Sequence, residues 1–306
     1  MLRNQRTIKN SIHCAGIGLH SGKRVNMLLK SAPADTGIIF VRTDLGGAEI
    51  AAIAAIAANT AATSYATTLR RNGATVQTVE HLLGALAGLG ISNLFVELDA
   101  EEVPIMDGSA APFVRMIADA GIQLQDRVQT VLKVTKPVFV REGSKQLAIW
   151  PSETLSISYF IDFDHPMLKE QSLNYQLSEE NFIRDISAAR TFGFLSDVQM
   201  LQANGLAKGG SLENAVVLGP DTVLNQEGLR YQDEFVRHKI LDILGDLSLA
   251  GMPVVGHVVA HKSGHGLNSA MVNKLMQSPL NWTMVGAPER IAPRREHVVF
   301  QESAAM

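Results

Sequence analysis

The chain has 306 residues, of which 46% are hydrophobic, and its formal net charge is −3. This length can bury a large core and favours two domains over one. The near-neutral charge argues against a nucleic-acid-binding protein, which normally carries a basic excess. No stretch of about 20 residues is apolar enough to embed the chain in a membrane, and no signal peptide is expected at the N-terminus.

The number of cysteines limits what kind of site the chain can build. The single cysteine, Cys14, excludes an intrachain disulfide and fits a protein of the reducing cytoplasm. Any metal site must therefore use histidine and carboxylate ligands. Three such ligands, with a fourth position left open for water, are typical of catalytic zinc.

Hydrophobic periodicity and turn residues predict the elements of the first part of the chain. In order, these are strands over residues 24–30 and 37–42, a helix over 75–89, a strand over 93–98 and a helix over 112–120. The segment 120–129 is predicted to link two domains, formed by residues 1–125 and 126–306.

The second part of the chain is predicted to follow the same plan. Its elements are strands over 130–140, 146–150 and 155–163, helices over 179–188 and 196–203, a hairpin near 219–221, a helix over 235–247, a strand over 253–261, a helix over 267–277, and a surface tail from about 288. Both halves end in helix, strand, glycine-containing loop and helix. Because strands cluster before helices, we expect two similar α+β domains, each a small, mostly antiparallel sheet packed with helices.

The helix predicted over residues 235–247 carries the strongest functional signal. His238, Asp242 and Asp246 are spaced i, i+4, i+8, so they share one face, and Lys239 lies in the same arc. An imidazole and a carboxylate one helical turn apart can bind one divalent cation. The alternative is an amphipathic helix whose polar face is solvated.

A second candidate pair, Glu80 and His81, lies on the helix predicted over residues 75–89. His81 could bind a metal while Glu80 reaches the water bound to it, as in zinc hydrolases. Taken alone, the pair is better explained as a polar patch on an amphipathic helix. Combined with the later helix, however, it supplies two histidines, an aspartate and a spare glutamate: a ligand set with a general base.

His265 lies between Gly264 and Gly266 in the loop after a predicted strand, where catalytic groups often occur. A protonated histidine beside a metal could stabilise an oxyanion or protonate a leaving amine. Asp246 could orient this imidazole. A solvent-exposed loop histidine is the alternative.

Several long motifs follow one another along the chain. They are GLHSG at residues 18–22, TVEHLL at 78–83, VPIMDGS at 103–109, ARTFGF at 189–194, DEF and HKILD within 233–242, and KSGH at 262–265. In this order they resemble the UDP-3-O-acyl-N-acetylglucosamine deacetylase family, the zinc amidases of bacterial lipid A synthesis. The resemblance implies two α+β domains with the active site between them, and a monomeric cytoplasmic enzyme with a small-molecule substrate.

The resemblance also implies roles for the candidate residues. His81, His238 and Asp242 would be the ligands of one zinc ion, and Glu80 would be the general base. Protonated His265 would stabilise the oxyanion. In addition, Asp246 would orient His265 and Thr191 would donate a further hydrogen bond. Iron(II) could occupy the same ligands.

The substrate contacts implied by the resemblance lie around this centre. Lys239 and Lys262 would meet the pyrophosphate, and Asp162 and Phe163 would lie near the uridine. Phe192 would line the substrate site, while the segment 194–211 would form an apolar passage for the acyl chain. Ala215, near this passage, is expected to affect its width.

The expected reaction is hydrolysis of the N-acetyl group of UDP-3-O-[(R)-3-hydroxyacyl]-N-acetylglucosamine, which releases acetate early in lipid A biosynthesis. Two alternatives stay open: a zinc amidase acting on another N-acyl sugar, and a non-catalytic binder of an acylated sugar nucleotide. Whether His265 or Glu80 protonates the leaving amine is also open.

Overall fold

The computed structural model describes residues 3–46, 51–168 and 170–286. The strands within these ranges are β1 Asn4–Ile8, β2 Ile12–Ile17, β3 Arg24–Ser31, β4 Ile38–Arg42, β5 Ala52–Ala54, β6 Thr60–Ala62, β7 Thr68–Arg71, β8 Ala74–Val76, β9 Leu94–Leu98, β10 Ile122–Val128, β11 Val131–Val134, β12 Val138–Glu142, β13 Lys145–Trp150, β14 Ser156–Ile161, β15 Gln171–Gln176, β16 Phe192–Phe194, β17 Val216–Leu218, β18 Val254–Val255, β19 His257–His261 and β20 Trp282–Val285. The α-helices are α1 Glu80–Leu89, α2 Ala111–Ala120, α3 Glu179–Asn181, α4 Leu195–Ala203, α5 Glu234–Ser248 and α6 His265–Met276. The predicted surface tail from about residue 288 lies outside the described residues.

Two five-stranded sheets share one topology. Their strand orders are β2-β3-β9-β4-β5 and β12-β13-β19-β14-β15. In each sheet only one neighbouring pair is parallel, β4 with β9 and β14 with β19, and the other pairs are antiparallel. The fold class predicted from the sequence, α+β with two similar and mostly antiparallel units, is confirmed.

Side-chain alternation explains why these strands form and which face they bury. In β3, Val25, Met27 and Leu29 are at most 1% exposed while their neighbours are exposed or half-buried. This period of two places alternate side chains on opposite faces of the sheet. Met27 pairs with Leu98 of β9 and Leu29 with Val96, so one face of the sheet is apolar throughout.

Helices α1 and α5 pack against each other at the centre of the molecule, and α5 also contacts β14 and β15. Two glycines permit this close approach. A Cβ atom on Gly245 would overlap the carbonyl oxygen of Glu80, and one on Gly84 would lie 3.0 Å from the carbonyl oxygen of Leu241. The backbones of the two helices therefore touch where a larger residue would separate them.

Most predicted elements are confirmed, but five differ. The helix predicted from residue 75 begins at Glu80, because residues Ala74–Val76 form β8 and pair with β7. The segment predicted as a linker is strand β10, which pairs with β1. Its side chains are mostly exposed, which explains its polar composition. The division of the chain near residue 125 stays a prediction.

Two predicted strands are each divided in the structure. The strand predicted over residues 253–261 is β18 and β19, which lie in different sheets. The strand predicted over residues 130–140 is also two strands, β11 and β12. Pro137 lies between them and has no backbone N–H to donate to a ladder. In addition, the helix predicted from Glu179 continues after α3 as a π-helical turn, Phe182–Ile186.

Across the three described ranges, no helix is long and apolar enough to cross a bilayer.

The glycine contact between α1 and α5 generates a prediction. Gly245→Ala should lower the free energy of unfolding by roughly 1–3 kcal/mol, because its methyl group must displace the backbone of α1. Urea denaturation measures this loss. Gly266→Ala in α6 is the matched control, since its nearest heavy atom, Thr63 Oγ1, would be 3.6 Å away. Equal stability of the two variants would contradict the close approach.

Candidate active site

The two central helices bring together the three predicted metal ligands. His81 lies in the first turn of α1, and His238 and Asp242 lie one turn apart on α5. One ligand atom from each residue lies within 4.8 Å of the others, and all three residues are buried. The Nε2 atoms of His81 and His238 are 3.7 and 3.3 Å from Asp242 Oδ1. This geometry suits a single cation.

The oxygen at the centre of this cluster supports a metal site. Asp242 Oδ1 is buried and no group donates a hydrogen bond to it. A buried carboxylate oxygen without a partner is costly, so a cation held there would satisfy it. The other oxygen, Oδ2, accepts a 2.6 Å hydrogen bond from Lys239 Nζ. Two imidazoles and a carboxylate form a donor set typical of catalytic zinc.

Both histidines have the protonation state that metal binding requires. His238 Nδ1 is 3.0 Å from the carbonyl oxygen of Ala189, to which it donates, so Nε2 is free to bind a metal. Burial lowers the pKa of His238. Burial and the neighbouring His238 lower the pKa of His81 to about 3. Each ring is therefore neutral at physiological pH, which is the form that ligates a metal.

Glu80 lies beside the metal ligands as the first residue of α1 and is only 2% exposed. Its Oε2 accepts a 3.0 Å hydrogen bond from the backbone N–H of Thr67, which leaves Oε1 directed toward His265. Burial raises the pKa of Glu80 to about 7. A carboxyl group with this pKa can accept and release a proton near neutral pH.

His265 has the opposite charge preference. Its Nδ1 lies 2.8 Å from Asp246 Oδ2, and its Nε2 lies 3.7 Å from Glu80 Oε1. Although burial opposes the charged ring, the carboxylates of Asp246 and Glu80 raise the pKa of His265 to about 9. The structure thus places a protonated imidazole beside a carboxyl group that gains and loses its proton near neutral pH.

Two residues that the sequence interpretation missed hold this pair in place. Thr67 donates its backbone N–H to Glu80 and its hydroxyl to Asp246 Oδ1 at 2.6 Å. Asn268 donates to Asp246 Oδ2 at 2.8 Å. Asn268 could have been found, since it lies three residues after His265 on α6. Thr67 had no local signal, because its contacts depend on the tertiary fold.

Phe192 lies close to the metal ligands, at the start of β16. Its ring centroid is 6.3 Å from that of His238 and 5.0 Å from that of Phe235. Phe163 packs edge-on against Phe192 at 5.8 Å. The preceding residue, Thr191, is held by a 2.8 Å hydrogen bond from its backbone N–H to the carbonyl of Gly108. These aromatic rings form one wall beside the centre.

The two lysines predicted to bind pyrophosphate already have partners in the structure. Lys239 forms an ion pair with the carboxylate of Asp242, one of the predicted metal ligands. Burial alone would lower the pKa of Lys239, but the negative charge of Asp242 outweighs burial and raises that pKa above its usual range. Lys262 Nζ lies 2.6 Å from Asp162 Oδ2. Asp162 directly follows β14, and Lys262 directly follows β19. Because these two strands are parallel neighbours, their carboxyl ends lie at the same edge of the sheet, which brings the two side chains together. Their roles toward substrate stay predictions.

An open cleft adjoins the aromatic wall. It has a volume of about 960 Å³ and is lined by Phe163, Phe194, the first turns of α4 and the turn after β17. Residues 194–199, the first part of the predicted acyl passage over 194–211, line this cleft, whose volume is large enough for a lipid chain.

A buried ion pair fixes the backbone on which Thr191 and Phe192 lie. Arg190 is 2% exposed, and its Nε lies 2.8 Å from Glu234 Oε1, in the first turn of α5. The same oxygen accepts from the backbone N–H of Arg190 at 2.9 Å. The carbonyl oxygen of Ala189 accepts the hydrogen bond from His238 Nδ1, and this ion pair ties the residue after Ala189 to the helix that carries His238.

The chain is similar in sequence to known deacetylases. A sequence model described as UDP-3-O-acyl N-acetylglycosamine deacetylase matches residues 5–277. Three similar curated proteins carry the name UDP-3-O-acyl-N-acetylglucosamine deacetylase. They come from Syntrophus aciditrophicus, 51% identical over 91% of this chain and 88% of the relative; from Myxococcus xanthus, 52% identical over 94% and 91%; and from Saccharophagus degradans, 47% identical over 92% and 93%.

The buried ion pair generates the prediction of this section. Arg190→Lys should weaken metal binding about tenfold, as expected when a group that orients a metal ligand is lost. Competition with a chelating dye measures the affinity. Arg42→Lys is the matched control, because Arg42 is 8% exposed and makes a two-point pair with Asp44, and none of its hydrogen bonds goes to a metal ligand. Equal loss of affinity in both variants would refute an orienting role for Arg190.

Proposed function

The chain belongs to the UDP-3-O-acyl-N-acetylglucosamine deacetylase family, and we propose that its central site uses one zinc ion to hydrolyse the substrate's N-acetyl group. The chain is a hydrolytic deacetylase of lipid A biosynthesis. Its substrate is UDP-3-O-[(R)-3-hydroxyacyl]-N-acetylglucosamine, and the reaction releases acetate. The observation that carries the proposed mechanism is the meeting of three buried metal ligands with Glu80 and His265.

The ion would be held by His81, His238 and Asp242, whose donor atoms converge on the unsatisfied oxygen of Asp242. When bound, zinc supplies Lewis acidity, which polarises the amide carbonyl and lowers the pKa of water toward about 7. Iron(II) fits the same nitrogen and oxygen donors. Lys239 neutralises the second oxygen of Asp242 and so fixes which oxygen faces the ion.

Glu80 acts as the general base. The N–H of Thr67 fixes its Oε2, so Oε1 is the oxygen that receives the proton of the attacking water. A glutamate with its ordinary pKa is a weak base. Burial raises the pKa of Glu80 and so makes its carboxylate a stronger base. No other carboxylate of the centre is free for this role, because Asp242 is a ligand and Asp246 is bound to His265.

His265 stabilises the oxyanion that develops on the carbonyl oxygen. Its Nδ1–H donates to Asp246, so the Nε2–H points into the centre. Thr191 supplies a further hydrogen bond in the proposed mechanism. Loss of one such donor typically costs about 10²–10³ in rate. The amine product receives its proton from His265 or from Glu80; both lie at the site, and the proposal leaves this choice open.

The substrate lies between the aromatic wall and the cleft in this proposal. Phe192 contacts the sugar, Lys239 and Lys262 face the pyrophosphate, and Asp162 and Phe163 contact the uridine. The acyl chain follows residues 194–211 along the 960 Å³ cleft. We propose that the enzyme works as a monomer in the cytoplasm. A non-catalytic binder would need only solvated polar helix faces, whereas Glu80, His238 and Asp242 are each 2% exposed.

The role of Glu80 generates a direct prediction. Glu80→Gln should lower kcat at least a hundredfold, because the amide cannot accept the proton, while the metal content stays at one ion per chain. Acetate release and elemental analysis measure the two effects. Asp242→Ala is the matched control and should lose the metal itself. If Glu80→Gln also lost the metal, Glu80 would be a ligand and not the base.

The charges of Glu80 and His265 generate a prediction on pH dependence. Activity requires ionised Glu80 and protonated His265, so kcat/KM should rise and then fall as the pH increases. The fall reflects loss of the His265 proton, near pH 9 because its pKa is raised to about 9.

Asp246→Asn should move this alkaline fall to lower pH, because it removes the carboxylate that raises the pKa of His265. Asp246→Glu keeps the charge and is the control. The pH profile of kcat/KM measures the shift. An unchanged alkaline limb in Asp246→Asn would show that His265 is not the group that titrates there.

A further inference from the structure

A second cavity lies between the two halves of the molecule, on the other side of the pair formed by α1 and α5. It has a volume of about 160 Å³. Its inner wall includes Leu83 and Leu86 of α1 and Leu244 and Leu247 of α5, all at most 3% exposed. Glu80, His81 and Asp242 lie on the same two helices, but none of them lines this cavity.

The remaining walls come from both sheets and their connections. Ile38 and Ile39 of β4 line it on one side, and Leu155 and Leu177, which flank β14 and β15, line it on the other. A cavity of about 150 Å³ lined by aliphatic side chains stays dry and can bind a molecule the size of benzene. The interior of this cavity therefore suits an apolar group of about six carbon atoms.

One charged residue lines the cavity among the residues that the structure describes, and it is a cation. Arg3 is exposed, so it marks the solvent side, and its guanidinium lies against Gly90 at the end of α1. Among the described residues, no carboxylate lies within ion-pair distance of Arg3, whereas nearby Arg6 is paired with Glu179 at 2.7 Å. Glu179 acts on Arg3 through its charge without forming an ion pair. The guanidinium of Arg3 can therefore still pair with an anion at the mouth.

We propose that this cavity is a second ligand site, which binds a short-chain monocarboxylate with its tail among the leucines of α1 and α5 and its carboxylate on Arg3. The carboxylate complements the unpaired guanidinium, and about six carbons match the apolar volume. Binding at this site stabilises the contact between the helices that carry the metal ligands, because the ligand touches both of them.

The test measures hexanoate binding to the metal-loaded full-length protein by calorimetry, together with the shift in Tm. Hexanoate should bind and raise Tm through mass action. Acetate, which lacks the tail, should not bind at this site. Arg3→Gln should weaken hexanoate binding about fivefold, the value of an exposed ion pair, and leave binding of the uncharged 1-hexanol unchanged.

A second variant separates this cavity from the metal centre, which could itself bind a carboxylate. Ala87 lines the cavity, so Ala87→Leu fills it and should abolish binding of both hexanoate and 1-hexanol. Ala118→Leu, an exposed position on α2, is the matched control and should bind both normally. Hexanoate binding that survives Ala87→Leu, or that is unaffected by Arg3→Gln, would overturn the proposal.

Discussion

The close contact of α1 with α5 is the constraint on which the rest of the structure depends. Gly245 and Gly84 let the two backbones touch, and the contact at Gly245 is made with the carbonyl of Glu80 itself. The next residue, His81, is then within reach of Asp242 Oδ1 at 3.7 Å. Neither helix contains the centre alone. The geometry of the site is therefore set by backbone packing before any side chain is considered.

Burial and neighbouring charges then set the pKa values of the two catalytic groups at this contact. Removing Glu80 from water raises the pKa of its carboxyl to about 7, while Asp246 more than offsets burial at His265 and raises that pKa to about 9. The two groups lie 3.7 Å apart, and the pKa of each is raised above its ordinary value in water, so Glu80 ionises at a lower pH than the one at which His265 loses its proton. Thr67 donates hydrogen bonds to the carboxylates of both Glu80 and Asp246, which fixes the position of Glu80 relative to the carboxylate that orients His265.

Local periodicity predicts which polar side chains of α5 share a face, but it leaves open whether they bind a metal. The i, i+4 spacing placed His238, Asp242 and Asp246 on one face, and the two repeated sheets followed from strands that precede helices in each half. The pairing of Lys239 with Asp242 was also readable, because residues three apart on a helix are neighbours. The resemblance also assigns Lys239 to the pyrophosphate, and that role stays a prediction.

Contacts made across the fold could not be predicted in this way. Thr67 and Asp246 are 179 positions apart, and neither residue carries a local pattern that indicates the other. The helix predicted from residue 75 starts only at Glu80, because Val76 and Val79 continue the apolar period of the helix although Val76 belongs to a strand that pairs with β7. Tertiary pairing overrode the helical pattern there. The motif resemblance supplied the joint role of α1 and α5, which spacing alone left open.

The most direct test of the central claim is the number of metal ions per chain in the purified protein and in His81→Ala, determined by elemental analysis. His81 is the one ligand supplied by α1, so a site built from both helices needs it. The account predicts one ion per chain in the natural sequence and well below one in His81→Ala at equal folded fraction. A full complement of metal in His81→Ala would show that α5 binds the ion without α1.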